Sequence, residues 1–522
     1  MVVGIKTNRA NDNIVECENN NIASKCNDKL YSYEEALTLA GHGAYSRRLL
    51  LLLSLALLAM GLDMFGFSVA VAGCGCELQL THRQRGILNS MPFAGPILMS
   101  YAWGYVSDTA GRRRSLLAAM LGAFSCSALG SFAPNWIVLG VMKLIGTSFV
   151  SCAQSSTYAL LGESCSERVR GSYMLLMTSV LHTTPILYFT IGYFVLGLEF
   201  SYDLGLIQFT PWRLYSLLLS LAPLLGFFSM LLLVESPKFL ANQGREAEAL
   251  KCLEKIWTTN GGEPNMYPVK RIILEESTTK KSVSLAQSLR DQTVPLFKPP
   301  YLKHTLILYY ITAVVYGSSN SLVTWLPFVA NTYFGSTRNS NISISGLCDV
   351  LSEGNVDTRY SKNITDTFEP QCSSKLEPNT LFVGIALGVL FASINYGVSF
   401  ASSRKKLVTI LIFLLACCGS VGVMFVTDPL LVVPFYVVAG IAGLGIGLVS
   451  SYFVVLFPTS HRGMAACLGV VAARLSALAG VNLLAAGLHA ACTGTFTTLG
   501  LFIFTGAAMA CFLPSDTAAK EV

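Results

Sequence analysis

Gly104-Tyr105-Val106-Ser107-Asp108-Thr109-Ala110-Gly111-Arg112-Arg113-Arg114 is a short polar stretch between two apolar runs, and its pattern returns later in the chain. Two glycines permit a tight turn and close packing. Asp108 can cap the helix that follows and attract Arg112, and Arg113 and Arg114 favour the cytoplasmic side of a bilayer. Gly397-Val398-Ser399-Phe400-Ala401-Ser402-Ser403-Arg404-Lys405-Lys406 is a worn copy 293 residues further on, with Ala401 in place of the carboxylate. Glu163-Ser164-Cys165-Ser166-Glu167-Arg168-Val169-Arg170-Gly171 and Phe457-Pro458-Thr459-Ser460-His461-Arg462-Gly463 form a second pair, 292 residues apart. Two elements that share one offset mark two related halves, an arrangement suited to alternating access about a central site.

Composition says what surrounds those turns. Of 522 residues, 52% are hydrophobic and only 13% are charged, against roughly 25% charged in a soluble domain. A soluble enzyme, a disordered scaffold and a nucleic-acid reader all need more charge than this. A bilayer core of about 30 Å takes about 20 apolar residues per helix. That window finds twelve spans near 48–72, 87–107, 115–133, 136–161, 172–197, 212–234, 304–329, 380–401, 407–426, 430–455, 464–487 and 493–513. The expected fold is an all-α polytopic membrane protein of two pseudo-symmetric six-helix halves.

The domain plan follows. Residues 1–47 form an N-terminal segment, 48–234 the first half, 235–303 a central loop, 304–513 the second half and 514–522 a tail, with 330–379 a large loop on the opposite side. Of the 36 Lys and Arg residues, 27 fall on the side of the termini and 7 on the other, while Lys143 and Arg474 lie inside spans. The positive-inside bias therefore puts both termini in the cytoplasm. Residues 1–46 are polar and Asn-rich with no signal-peptide pattern, so the mature chain is expected to begin near Met1.

Most of the fifteen cysteines fall in spans or on the reducing side. Cys348 and Cys372 share the 330–379 loop with the sequons Asn341-Ile342-Ser343 and Asn363-Ile364-Thr365, so this loop is expected to be glycosylated and the two cysteines are a candidate disulfide. Cys74-Gly75-Cys76 has no His or Cys partners nearby and is read as no metal site. There is no P-loop, GxSxG, HExxH or paired CxxC, so neither an enzyme, a cofactor nor an ATP-driven motor is expected.

The pattern G-x-x-x-D-x-x-G-R-R resembles the signature of the major facilitator superfamily. Gln208-Phe209-Thr210-Pro211-Trp212-Arg213, Val234-Glu235-Ser236-Pro237-Lys238-Phe239-Leu240 and Tyr33-Glu34-Glu35-Ala36-Leu37 look like the branch of synaptic vesicle glycoprotein 2 and the organic ion transporters. The resemblance implies a secondary or facilitative carrier of a small polar or charged organic solute, in a plasma or vesicle membrane, with proton coupling left open. The alternative it implies is a transporter-shaped protein acting mainly as a binding or trafficking partner. It also implies a cytoplasmic gate built from Gly104, Asp108, Gly111, Arg112, Glu163 and Arg170, with Arg462 in the second copy. The second latch looks degraded at Ala401, and Val455 stands where many relatives carry Glu. Trp325 matches a span-seven Trp of the vesicle group, whereas Leu181 and Ile446 stand where its other transport-site Trp residues would be.

Charges inside spans are the strongest functional candidates, since a carboxylate at mid-bilayer costs at least ~2.5–3.5 kcal/mol. Asp63, expected near mid-bilayer, either serves a cationic substrate or a coupling proton, or forms a permanent pair with Lys143 in span four. The Asp63–Lys143 pair resembles the protonation switch of proton-coupled sugar carriers, which use an Arg in span four. Arg474 resembles an anion-binding Arg of organic anion carriers, or else packs against backbone carbonyls. A pair between Asp63 and Arg474, made in one state and broken in another, is a further expectation. Polar clusters around Gln154 and Tyr158, His182, Asn320, Asn395 and Tyr452 are expected to line the cavity or to join helices.

Overall fold

The computed structural model describes residues 30–273, 290, 293–339, 346–353, 375–400, 404–457 and 459–514. Helices dominate, because within a bilayer every backbone group must be satisfied inside its own segment. The first half contains α1 (Tyr33–Ala40), α2 (Ala44–Phe65) and α3 (Phe67–Cys74), which form one span broken at Gly66, then α4 (His82–Ala110), α5 (Arg112–Gly130) and α6 (Trp136–Ser164). α7 (Glu167–Leu181) and α8 (Thr184–Leu196) make the fifth passage, with a jog at His182 and Thr183, and α9 (Pro211–Leu231) the sixth.

The central segment carries α10 (Pro237–Asn242) and α11 (Glu246–Thr259). The second half contains α12 (Leu302–Asn339), α13 (Leu347–Glu353), α14 (Pro378–Phe400) and α15 (Lys405–Phe425). α16 (Pro429–Gly440) and α17 (Gly445–Leu456) are joined by a 3-10 turn at Ile441–Leu444, and α18 (Thr459–Ala490) and α19 (Cys492–Ala510) complete the bundle. Two small pairings, β1 (Tyr31–Ser32) parallel to β4 (Ile272–Ile273) and β2 (Tyr202–Asp203) antiparallel to β3 (Gln208–Phe209), are the strands among the described residues.

Among the described residues, ten passages are long and apolar enough to cross a membrane. The second and third, α4 and α5, miss that measure because the uncharged middle of α4 carries Asn89, Ser90, Pro92, Pro96 and Ser100 among its apolar residues, and Arg112, Arg113 and Arg114 open the short α5. Both pack along α6 inside the same bundle. The interior is apolar and close-packed, with small residues where helices approach one another.

Three sequence readings change. The loop expected at 330–379 begins later, since α12 runs to Asn339. The N-terminal segment and central loop, set down as separate pieces of the domain plan, fold together: Asn260 donates to the carbonyls of Ala40 and Gly41 at 3.1 and 3.0 Å and accepts from the Tyr45 amide at 3.0 Å, while Tyr267 donates to Ala36 at 2.7 Å. A capping box from Ser32 and Glu35 starts α1 in that cap.

The disulfide differs as well. Cys348 is bonded to Cys492, with their Cα atoms 5.4 Å apart, not to Cys372, which lies outside the described residues, as do Asn341 and Asn363. Cys492 opens α19 at the turn after α18, so it reaches the same face as the loop. Cys76 is also disulfide-bonded. This end of the bundle is the disulfide face and the Gly104–Arg114 end the latch face.

Candidate functional site

The latch face is built from two adjoining networks. Arg112 joins Asp108, one turn back, to Glu163 at 3.1 Å, and it also donates to Ser107 at 3.2 Å. Asp108, Arg112 and Glu163 thus meet as the resemblance implied. Arg170 does not join them directly: it pairs with Glu34 of α1 at 2.7 Å, and the Tyr33 hydroxyl donates to the Glu163 carbonyl. Burial beside Glu163 pushes the Tyr33 phenol well above its ordinary pKa. Glu235, which the sequence reading quoted but gave no role, accepts from the Arg113 amide at 3.0 Å. Gly111, at φ +107°, turns the chain against that carboxylate, where a β-carbon would collide with it. Gly104 lies within α4 with open space beside it. The side chain of Arg462 lies outside the described residues.

Inside the first half, Lys143 reaches Asp63 at 2.8 Å and also donates to the Asp63 carbonyl. The Ser127 hydroxyl donates to Asp63 Oδ1 at 2.6 Å, and the Lys143 ammonium lies 4.9 Å from the centre of the Phe67 ring. Asp63 Oδ2 is buried with no hydrogen-bond partner. The pair borders a small hollow of about 30 Å³ whose walls include Ser127, Ser131, Leu139, Ser216 and Leu219. Asp63 is not at mid-span. Eleven residues separate it from Cys74 and nineteen from Ala44, so it lies about 16 Å from the disulfide-face end and about 28 Å from the other.

Arg474 occupies a different place. Its guanidinium is buried, donates to Gln154 Oε1 at 2.5 Å, contacts Met64 Sδ at 3.5 Å and lies 5.9 Å from the Tyr316 ring centre. These partners come from α6, α2 and α12, so Arg474 sits where the halves meet at the centre. The expected Asp63–Arg474 pair is not formed: Asp63 turns toward α5 and α6, and its neighbour Met64 meets Arg474 instead. No carboxylate pairs with Arg474 among the described residues, and its Nε is unpartnered.

The remaining candidates divide. Tyr158 shares a 2.9 Å hydrogen bond with Thr178 and so joins α6 to α7, whereas His182 Nδ1 lies 2.8 Å from the Thr178 carbonyl of its own helix, at the C-terminal end of α7. Asn395 donates to Ser179 at 3.1 Å across the seam between halves. Asn320 is buried on α12 with its Nδ2 unpartnered. Trp325 is wholly buried and donates to the Val481 carbonyl at 3.0 Å, a packing role between α12 and α18. Tyr452 is buried on α17.

Several contacts between the halves lie at the disulfide face. The Phe328 ring stands 5.9 Å from that of His82 and 5.1 Å from the Arg85 guanidinium. Gly86 faces Ala485, and Gly384 presses on Phe189. Lys375 pairs with Glu199, whose carboxyl it holds below the usual range.

A family model described as Major Facilitator Superfamily matches residues 51–354, more than half of the chain. The chain belongs to the Major Facilitator Superfamily. It is 31% identical over 230 residues to solute carrier family 22 member 1 of Bos taurus, covering 42% of this chain and 36% of that protein. It is 23% identical over 323 residues to synaptic vesicle glycoprotein 2B of Homo sapiens, covering 57% and 47%. The alignments thus span between a third and a half of these relatives. Among solved structures, the inward-open xylose transporter XylE from E. coli superposes with a TM-score of 0.63 at 17% identity, over 90% of this chain and 97% of that one. The superfamily fold therefore extends over nearly the whole chain.

Proposed function

We propose that this superfamily member carries a small organic anion across a membrane by alternating access between its two halves. The observation that carries the reading is Arg474: a buried guanidinium at the centre, whose partners among the described residues are Gln154, Met64 and the Tyr316 ring. A buried charge without a counter-ion is costly, and an anionic solute would supply that counter-ion. Asn320, with an unpartnered amide one helical turn from Tyr316, would donate a further hydrogen bond to the solute.

Asp63 is already neutralised by Lys143, which argues against its holding a cationic substrate and for a protonation switch: with a proton on Asp63, Lys143 is released. The 27 to 7 distribution of Lys and Arg and the disulfide on the opposite face both support cytoplasmic termini, with Asn341 and Asn363 as outer glycosylation sites. The membrane is a plasma or vesicle membrane, and the partners are a small solute and protons.

The test is uptake into proteoliposomes of a panel of organic anions, organic cations and sugars, with and without a pH gradient. Anion uptake should be saturable and fall at least tenfold in Arg474→Gln, and Asp63→Asn should remove its dependence on the pH gradient. Uptake of cations alone would overturn the anion reading. No uptake of any panel member by well-folded protein would favour the binding or trafficking role instead.

A further inference from the structure

The hollow beside Asp63 does not belong to the cleft between the halves. It lies inside the first half, among α2 and α3, α5, α6 and α9, four helical passages that pack around it. Its outer lining comes from the helix ends at the disulfide face: Ser131 at the end of α5, Leu139 in the first turn of α6, and Ser216 in the second turn of α9. Its inner end is Asp63, with Oδ2 unpartnered. Its walls are mainly apolar, and its free space of about 30 Å³ has room for one or two waters, with Asp63 Oδ2 as their acceptor. Beyond Ser131, toward that face, Arg213 donates to the Ser131 and Ala133 carbonyls at 3.2 and 2.7 Å while pairing with Glu77 at 2.8 Å. Arg213 is buried, but Glu77 is 23% exposed, so the chain of contacts that starts at the rim residue Ser131 reaches the surface at an ion pair.

We propose that Asp63 exchanges its proton with the disulfide face through this hollow, by a route separate from the cleft that the solute would use. The proposal rests on the protonation-switch reading and adds the path. The proton arrives on Oδ2, and the neutral carboxyl then releases the Lys143 ammonium. The charged and titratable groups facing Asp63 are Lys143 from α6 and the Cys126 thiol from α5. α9 offers Ser216 and Leu219, and α7 and α8 offer Leu181 and Thr184 at neighbouring Gly61. With the seam between halves shut at this face, the hollow still ends only two to three helical turns below it, at about 5.4 Å per turn. Asp63 would therefore sense the pH of the disulfide face whichever way the solute cleft opens.

Cys126, a free thiol lining the hollow, reads the path directly. In full-length protein retaining Cys126 and the disulfides, with the other free cysteines replaced, silver ion, a membrane-impermeant thiol reagent of about water size, is added at the disulfide face of oriented vesicles. Gly86→Cys with Ala485→Cys staples the seam: a Cβ on Gly86 would lie 2.7 Å from that of Ala485, and a shift of about 1 Å between the two helices brings the pair to disulfide distance; the stapled protein is compared with the parent that lacks the two new cysteines. Modification of Cys126 should proceed at an unchanged rate when stapled and slow at least tenfold in Ser131→Trp or Ser216→Trp, which fill the hollow. Loss of modification on stapling places the access in the cleft and overturns the route, while a pH dependence of uptake still removed by Asp63→Asn would leave the switch standing. Persistent modification with a pH dependence indifferent to Asp63→Asn would overturn both, leaving a wet pocket without a proton role.

Discussion

Asp63 and Lys143 form a buried pair whose halves stabilise one another only together. Breaking such a pair leaves an uncompensated charge and typically costs about 3–5 kcal/mol, whereas replacing both partners by apolar groups is often neutral. Asp63→Asn should therefore lower the thermal unfolding midpoint in detergent far more than the double change Asp63→Asn with Lys143→Met. Equal losses in the two would show that the pair contributes little. The sequence made this pair legible because two charges in apolar spans stand out against so few. It could not show that Asp63 and Met64, adjacent in the chain, face different partners, since the orientation of α2 depends on the helices around it. Arg474 was legible as a charge but not as a partner of Gln154, for the same reason.

At the scale of elements, the seam and the cap give separate expectations. Gly384 of α14 lies so close to the Phe189 ring of α8 that any β-carbon must push the two helices apart. Gly384→Val should disfavour closure at the disulfide face, and a thiol reagent should then reach a cysteine placed at Ala485 from that side faster than in the parent; an unchanged rate would exclude the seam role. In the cap, Asn260 holds α1 to the start of α2 through three hydrogen bonds. Asn260→Ala leaves half-buried backbone groups unmet, a loss of about 1–3 kcal/mol. Hydrogen exchange of the α1 amides should accelerate accordingly while α5 and α6 stay protected. The cap was hidden in the sequence because α11 is short and charged, and such stretches usually read as solvated loop. Its apolar face becomes evident only against its neighbours, with Leu253 and Ile256 clustering with α1 and Ala249 with α10.

At the scale of the molecule, the twelve-passage plan was legible from hydropathy and from the repeated latch, although α4 and α5 owe their place to packing with α6 more than to apolarity. The disulfide partner was not, because Cys492 stands at the edge of an apolar run and its nearness to Cys348 is purely tertiary, across 144 residues. That bond also predicts orientation. A membrane-impermeant reductant should release Cys348 when applied outside intact cells and leave it bonded when confined to the cytoplasm; the opposite result would invert the topology. The cap carries a consequence for biosynthesis. Its pieces, near residues 31–41 and 246–273, lie on either side of the first six passages. A nascent chain cannot close it until the ribosome has passed residue 273, and it can close before α12 is made. The first half thus has the means to lock itself as a finished unit while the translocon is still waiting for the second.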